Sequence, residues 1–398
     1  MERLSQCFEA PNGSNATAII ATTVAATVAF ASLAKVTLWP KKSPVIPGPL
    51  TTGYSGPAGA EAEDLVYGPD YYPGARDVVT PYGNIHVYEF GPEDGRKVLF
   101  IHGISTSCMT LSEIARPLAE KGCRVMLYDL FGRGYTDAPG DLPYDTRLFV
   151  TQILLVLASS PLSWTGDNGL SVVGYSLGGG IAANFAATFP TMVESLILLA
   201  PAGLIRAENI GRASRLVFTS GIIPERILAW LTKRRLRQPI DNAVSKRRKL
   251  STAGAASKPL LQGEGKEDYI DVAVQEAVDP ADAPAQTPFE LKVIRFVHWT
   301  LDFHRGFVQA FMSTIQYAPL MDQQHYWRQL AKRKPGTTAV LLGKDDNLIQ
   351  REDYAEDALP LLGGEKNVFW RIVPGAHNFP FTHAPSALER IYEFWDMK

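Results

Sequence analysis

Cysteine is scarce in this 398-residue chain: only Cys7, Cys108 and Cys123 are present. An odd, sparse set at unrelated spacings makes no disulfide framework, and no Cys/His cluster has zinc-ligand spacing. Cys108 and Cys123 read as small buried apolar residues rather than reactive thiols. An excess of either charge is missing too. Lys plus Arg number 39 and Asp plus Glu 41, a formal net charge of -2. With 46% hydrophobic residues, that balance excludes a disordered chain, which needs low hydrophobicity and high net charge. It also excludes a surface built throughout to bind nucleic acid, which carries a basic excess, so no nucleic-acid partner is expected. The length is enough to bury a sizeable core without staples.

The N-terminus lacks charge altogether between Glu9 and Lys35. Residues 16 to 34 are almost all Ala, Thr, Val and Ile, and a run of this length suffices for a hydrocarbon core of ~30 Å at 1.5 Å per residue. Lys35, Lys41 and Lys42 follow it. The positive-inside rule then predicts a single-pass anchor with the bulk of the protein facing the cytosol. Residues 1–39 are therefore read as a tail and membrane anchor. The competing reading is a cleaved targeting peptide, with Ala29, Ala31 and Ser32 near the cleavage site and a secreted or organellar product. Asn12 and Asn15 open weak glycosylation sequons.

Residues 40–75 are rich in Pro, Gly and Tyr without helical or strand period, which predicts an extended tether. From residue 76 the pattern turns to strand and helix. Short apolar runs at 98–101, 125–127, 170–173 and 196–199 are separated by helical stretches. That rhythm predicts an α/β fold, a mostly parallel sheet covered on both faces. It occupies residues 76–203, stops over 204–334, and resumes over 335–398 with runs at 338–342 and 368–373. The middle stretch reads as an inserted helical cap.

Gly174-Tyr175-Ser176-Leu177-Gly178-Gly179-Gly180 follows an apolar strand and opens an Ala-rich helix. This is the context of a nucleophile elbow, in which a serine on a sharp strand-to-helix turn holds its hydroxyl clear of the sheet. At the helix N-terminus the dipole favours developing negative charge. A phosphate-binding glycine turn is the alternative for the motif alone. At the end of an earlier strand, His102-Gly103-Ile104 offers the backbone N–H of Ile104. With that of Leu177 it would form an oxyanion hole. His102 reads as a structural loop residue.

These motifs, with Asp129-Leu130-Phe131-Gly132-Arg133-Gly134 after the fourth strand, resemble the α/β-hydrolase superfamily. They are most similar to its lipase, esterase and C–C-bond hydrolase branch, and Leu198 to Leu204 is similar to monoacylglycerol-lipase-type members. The resemblance covers roughly residues 76–206 and 335–398. It implies that Asp129, Gly132 and Gly134 shape a core loop. It implies a carboxylate after the sixth or seventh strand, where Gly343-Lys344-Asp345-Asp346 selects Asp346 by the usual spacing, with Asp345 as runner-up. It implies a histidine after the eighth strand, met by His377, which Asp346 would hold in the tautomer that accepts the Ser176 proton.

The remaining histidines have blander readings: His383 as a cap or surface residue, and His298 and His304 as packed residues in an aromatic stretch of the cap. The cap also carries opposed charge blocks. Eight basic residues lie between Lys233 and Lys249, and seven acidic ones between Glu264 and Asp282, Glu276 among them. The segment 250–288 reads as a flexible excursion. The basic block would either rest on anionic lipid or face solvent opposite the acidic block. The expectation is a membrane-associated serine hydrolase cleaving an apolar or lipid-like ester through Ser176, His377 and Asp346, with no metal or organic cofactor. A C–C-bond hydrolase or biosynthetic thioesterase would use the same triad. A ligand-binding protein on a hydrolase scaffold would be of another class, and usually lacks a triad member.

Overall fold

A computed structural model describes residues 13–38, 43–53, 67–166, 169–208, 218, 223, 226–237, 276 and 287–397. Eight strands form one sheet: β1 (Arg76–Thr80), β2 (Gly83–Phe90), β3 (Arg96–Ile101), β4 (Cys123–Tyr128), β5 (Leu170–Tyr175), β6 (Val193–Leu199), β7 (Thr338–Gly343) and β8 (Phe369–Val373). Their order is β8-β7-β6-β5-β3-β4-β2-β1. The pairs β1–β2 and β2–β4 are antiparallel, and every other pair is parallel. The central strand β5 is buried at all six positions, as a parallel strand covered on both faces must be. The mostly parallel, helix-flanked sheet expected from the apolar rhythm is present.

The helices that follow the strands pack in two groups. In one, α2 (Ser112–Glu120) packs with the C-terminal helix α9 (Ala384–Trp395). The other joins α3 (Thr146–Ala158), α4 (Leu177–Thr188), α7 (Gln324–Leu330) and α8 (Arg351–Leu361). Local sequence explains where helices begin. Asp145 caps α3 by accepting from Leu148 N–H at 3.1 Å, which satisfies one orphan donor of the first turn.

Between β6 and β7 lie α5 (Pro288–Phe303) and α6 (Phe307–Tyr317), with residues 226–237 also helical. A capping box of Thr287 and Glu290, with Pro288 in the first turn, starts α5. This helix buries Val293, Ile294, Phe296, Val297, Trp299 and Leu301, each worth about 1.5–3 kcal/mol when fully buried. The half-exposed contacts of Arg237 and Lys233 with Asp302, at 2.7 and 3.9 Å, belong to a class worth about 0.2–1 kcal/mol per pair. Packing therefore holds α5 in place. The basic residues of this region reach an α5 carboxylate; Lys246 to Lys249 and all of the acidic block except Glu276 lie outside the described residues.

Two expectations change. Residues 43–53 and 67–75 are joined to the body of the fold, not strung out as a tether. Val45–Ile46 pairs antiparallel with Ala138–Pro139, Gly48 N–H donates to Asp137 Oδ1 at 2.6 Å, and Tyr67 and Tyr72 are buried. The tyrosines that looked like linker composition stack on Tyr135 and Phe90 and meet Phe296 and Tyr88 edge-on.

The N-terminal anchor is also corrected. The stretch is a helix, α1 (Gly13–Leu38), but no helix among the described residues is long and apolar enough to cross a membrane. Half of the 26 residues of α1 are Ala or Thr, which leaves it only mildly apolar. Thr22, Thr23 and Thr27 lie within it, their hydroxyls returned to carbonyls one turn back at 2.7, 2.9 and 2.8 Å. The single-pass anchor falls, and with it the membrane localisation that rested on it.

Candidate active site

The site forms where strands end and loops begin, at the C-terminal edge of the parallel sheet, as open α/β sheets generally arrange. Ser176 follows β5 at φ 53°, ψ -120°, a sparsely populated conformation that costs about 1–3 kcal/mol. Its surroundings fix that turn. Ser176 N–H donates to Leu199 O at 3.0 Å, while Ala202 and Gly179 N–H donate to Ser176 O at 2.8 and 2.9 Å. Gly178 permits the close approach: a Cβ there would lie 2.1 Å from Ile101 O.

Asp346 follows β7 and His377 follows β8. The loop Asp345-Asp346-Asn347 exposes Asp345 and buries Asp346, whose Oδ1 accepts from Leu348 and Ile349 N–H at 2.9 and 2.8 Å. Its Oδ2 faces His377 Nδ1 at 2.8 Å, and His377 Nε2 faces Ser176 Oγ at 3.0 Å. An ionised carboxylate only accepts, so Nδ1 carries the proton and Nε2 accepts from the serine hydroxyl. All three side chains are buried. The chain is continuous from carboxylate to imidazole to hydroxyl.

A family model for the alpha/beta hydrolase fold matches residues 97–252. A serine hydrolase-like protein of Danio rerio is 31% identical over 130 residues, 32% of this chain and 38% of that protein. A serine hydrolase-like protein of Homo sapiens is 32% identical over 136 residues, 33% of this chain and 64% of that protein. The matches thus span less than two thirds of these relatives' own length. Among solved structures, a membrane phospholipase A is similar over 95% of this chain and 97% of its own, at 21% identity and a TM-score of 0.55. The chain has the α/β-hydrolase fold. At that identity the structural likeness speaks for the fold alone.

The other histidines of this α/β-hydrolase fold are held by the backbone or by surface partners. His102 donates from Nδ1 to Gly103 O at 2.9 Å and accepts at Nε2 from Leu130 N–H at 2.8 Å. Burial, with Arg133 nearby, lowers its pKa to about 3. His304 donates from Nε2 to Thr136 O at 2.8 Å and accepts from Gly306 N–H at 3.2 Å, and burial lowers it to about 4. His298 sits one turn before Asp302, Nδ1 to Oδ2 3.7 Å. His383 contacts Thr382 Oγ1 at 3.0 Å. Cys108 and Cys123 are buried free thiols, both raised above the ordinary range chiefly by desolvation.

Asp129 organises the loops around the site. Its Oδ1 and Oδ2 accept from Cys108 and Tyr135 N–H, each at 3.0 Å. Burial still pushes its carboxyl above the ordinary value. Among the described residues no His/Cys/Asp/Glu cluster could hold a metal ion.

Leu177 and Ile104 differ in what their N–H groups meet. Leu177 is the first residue of α4, where an N–H has no intrahelical acceptor. Ile104 N–H, by contrast, donates to Glu276 Oε1 at 2.9 Å. Sequence reasoning missed Glu276, counting it in a solvated acidic block. It also missed Arg133, whose buried guanidinium donates to Ile104 O at 3.0 Å, Phe131 O at 2.9 Å and Thr314 Oγ1 at 2.7 Å. The Gly-Arg-Gly run after β4 was the available signal for Arg133; nothing local marks Glu276.

Proposed function

We propose that the protein is a serine hydrolase that cleaves an ester bond of an apolar or lipid-like substrate. The continuous contact from Asp346 through His377 to Ser176 carries this reading. Ser176 Oγ attacks the acyl carbonyl as its proton passes to His377 Nε2, and a carbon–oxygen bond forms to the enzyme. The imidazolium, stabilised by Asp346, gives that proton to the leaving alcohol oxygen. Water, deprotonated in turn by His377, releases the acid and restores Ser176. The tetrahedral oxyanion is received by Leu177 N–H and, when Glu276 is not on it, by Ile104 N–H; losing one such donor typically costs about 2.7–4 kcal/mol of the barrier. The apolar and aromatic composition of α5 supports an apolar acyl group, as does the likeness to a lipase of Mycobacterium tuberculosis.

Labelling with a fluorophosphonate probe, with Ser176→Ala as control, tests the reading. Wild type should label and hydrolyse p-nitrophenyl esters, and the variant should do neither. Equal labelling of both proteins would end the assignment of Ser176.

A further inference from the structure

The oxyanion side of the site is already holding an anion. Glu276 is 0% exposed, and both of its carboxylate oxygens are bound by the loop after β3. Ile104 N–H donates to Oε1 at 2.9 Å; Ser105 N–H and Oγ donate to Oε2 at 2.8 and 3.0 Å. Donors to an ionised acceptor make the stronger class of hydrogen bond. Gly103 lets the carboxylate close on the loop, since a Cβ there would lie 2.5 to 2.6 Å from all three carboxyl atoms. Behind the loop, Arg133 is buried and donates to Ile104 O, so a fixed positive charge backs the same pocket.

An N–H engaged with a carboxylate at 2.9 Å cannot also receive a tetrahedral oxyanion. We propose that this pocket is a carboxylate-binding site and that Glu276 fills it as an internal plug, keeping the protein latent until a ligand displaces it. The proposal rests on the serine hydrolase reading for its consequence, but the carboxylate site stands on its own geometry. The pocket binds a free carboxylate, the chemical class of an ester hydrolase's acid product, once Glu276 is gone. It also follows that such a product inhibits the unplugged protein and leaves the plugged one untouched.

The test compares full-length wild type, Glu276→Ala and Glu276→Gln in two measurements. Fluorophosphonate labelling rates should rise tenfold or more in Glu276→Ala, and by less in Glu276→Gln, whose amide keeps one acceptor but sets N–H against the Ser105 donors. NMR titration with acetate should show saturable binding to Glu276→Ala and none to wild type, with saturating acetate returning labelling to the wild-type rate. A folded Glu276→Ala that labels no faster and binds acetate no better than wild type overturns the plug. A slower rate with normal folding overturns it too, because Glu276 would then be supporting the site. Should Glu276→Ala fail to fold, Glu276→Gln decides by the same two readouts. If no protein labels at all, the hydrolase reading fails and the acetate titration alone decides the plug.

Discussion

His102 and His377 are both buried, and both sit in loops at the C-terminal edge of the sheet, after β3 and β8. Their partners differ. His102 spends both ring nitrogens on backbone groups, tying the loop after β3 to the loop after β4. His377 spends one on a carboxylate and the other on a hydroxyl. A ring fully paired with backbone has no proton to accept or give; a ring between a carboxylate and a hydroxyl has a path for both. Burial and residue type are shared, so the partners decide the role.

Four measurements would break or sharpen that contrast. The largest effect is expected for His377→Ala, which should lower kcat by about 10⁴–10⁶-fold with the fold retained, the range seen when a triad base is lost. A His102→Gln protein, folded, that lost as much activity would erase the distinction. Next, Asp346→Asn should cost about 10⁴-fold in kcat by favouring the wrong tautomer of His377. Asp345→Asn, at the exposed neighbouring position, should stay near wild type; a reversed pair of results would move the orienting role one residue.

The third measurement is stability against pH. His102 and His304 are lowered to about 3 and about 4 in the folded protein, so each prefers its neutral form there. The unfolded chain binds those protons first. Stability should therefore be full above pH ~6.5 and decline as pH falls toward the folded values, by up to ~1.4 kcal/mol per pH unit for each ring. Urea melts between pH 7 and 4.5 would show this slope, and His304→Asn should flatten it. A slope unchanged by that substitution would remove His304 from the account. The smallest effect is on stability at neutral pH. His102→Ala leaves Leu130 N–H buried without its acceptor, a loss of about 1–3 kcal/mol. A melting curve equal to wild type would show that the loop has another tie.

Much of this site was legible along the chain because its parts are local. A strand, a glycine-flanked serine and an Ala-rich helix occupy consecutive residues, so the elbow at Ser176 appears as spacing. The choice of Asp346 over Asp345 was also a matter of spacing, and the alternating exposure of the loop fits it. The tyrosines at 67 and 72 were misleading for the opposite reason. Their composition belongs to a linker, while the burial of Tyr67 depends on Tyr135 and Phe296, far along the chain. The N-terminal stretch misled by composition as well: it is nearly free of charge, yet no helix among the described residues is long and apolar enough to cross a membrane.

The sequence by itself determined the strand rhythm, the elbow and the order serine, aspartate, histidine, because hydrophobic period and turn chemistry act over a few residues. Only the tertiary structure decided which histidine meets a carboxylate, and which carboxylate enters the pocket beside Ile104. Glu276 lies 172 positions from that residue. Nothing within an acidic run distinguishes the one side chain that will be buried, since its burial depends on donors supplied by a loop elsewhere in the fold.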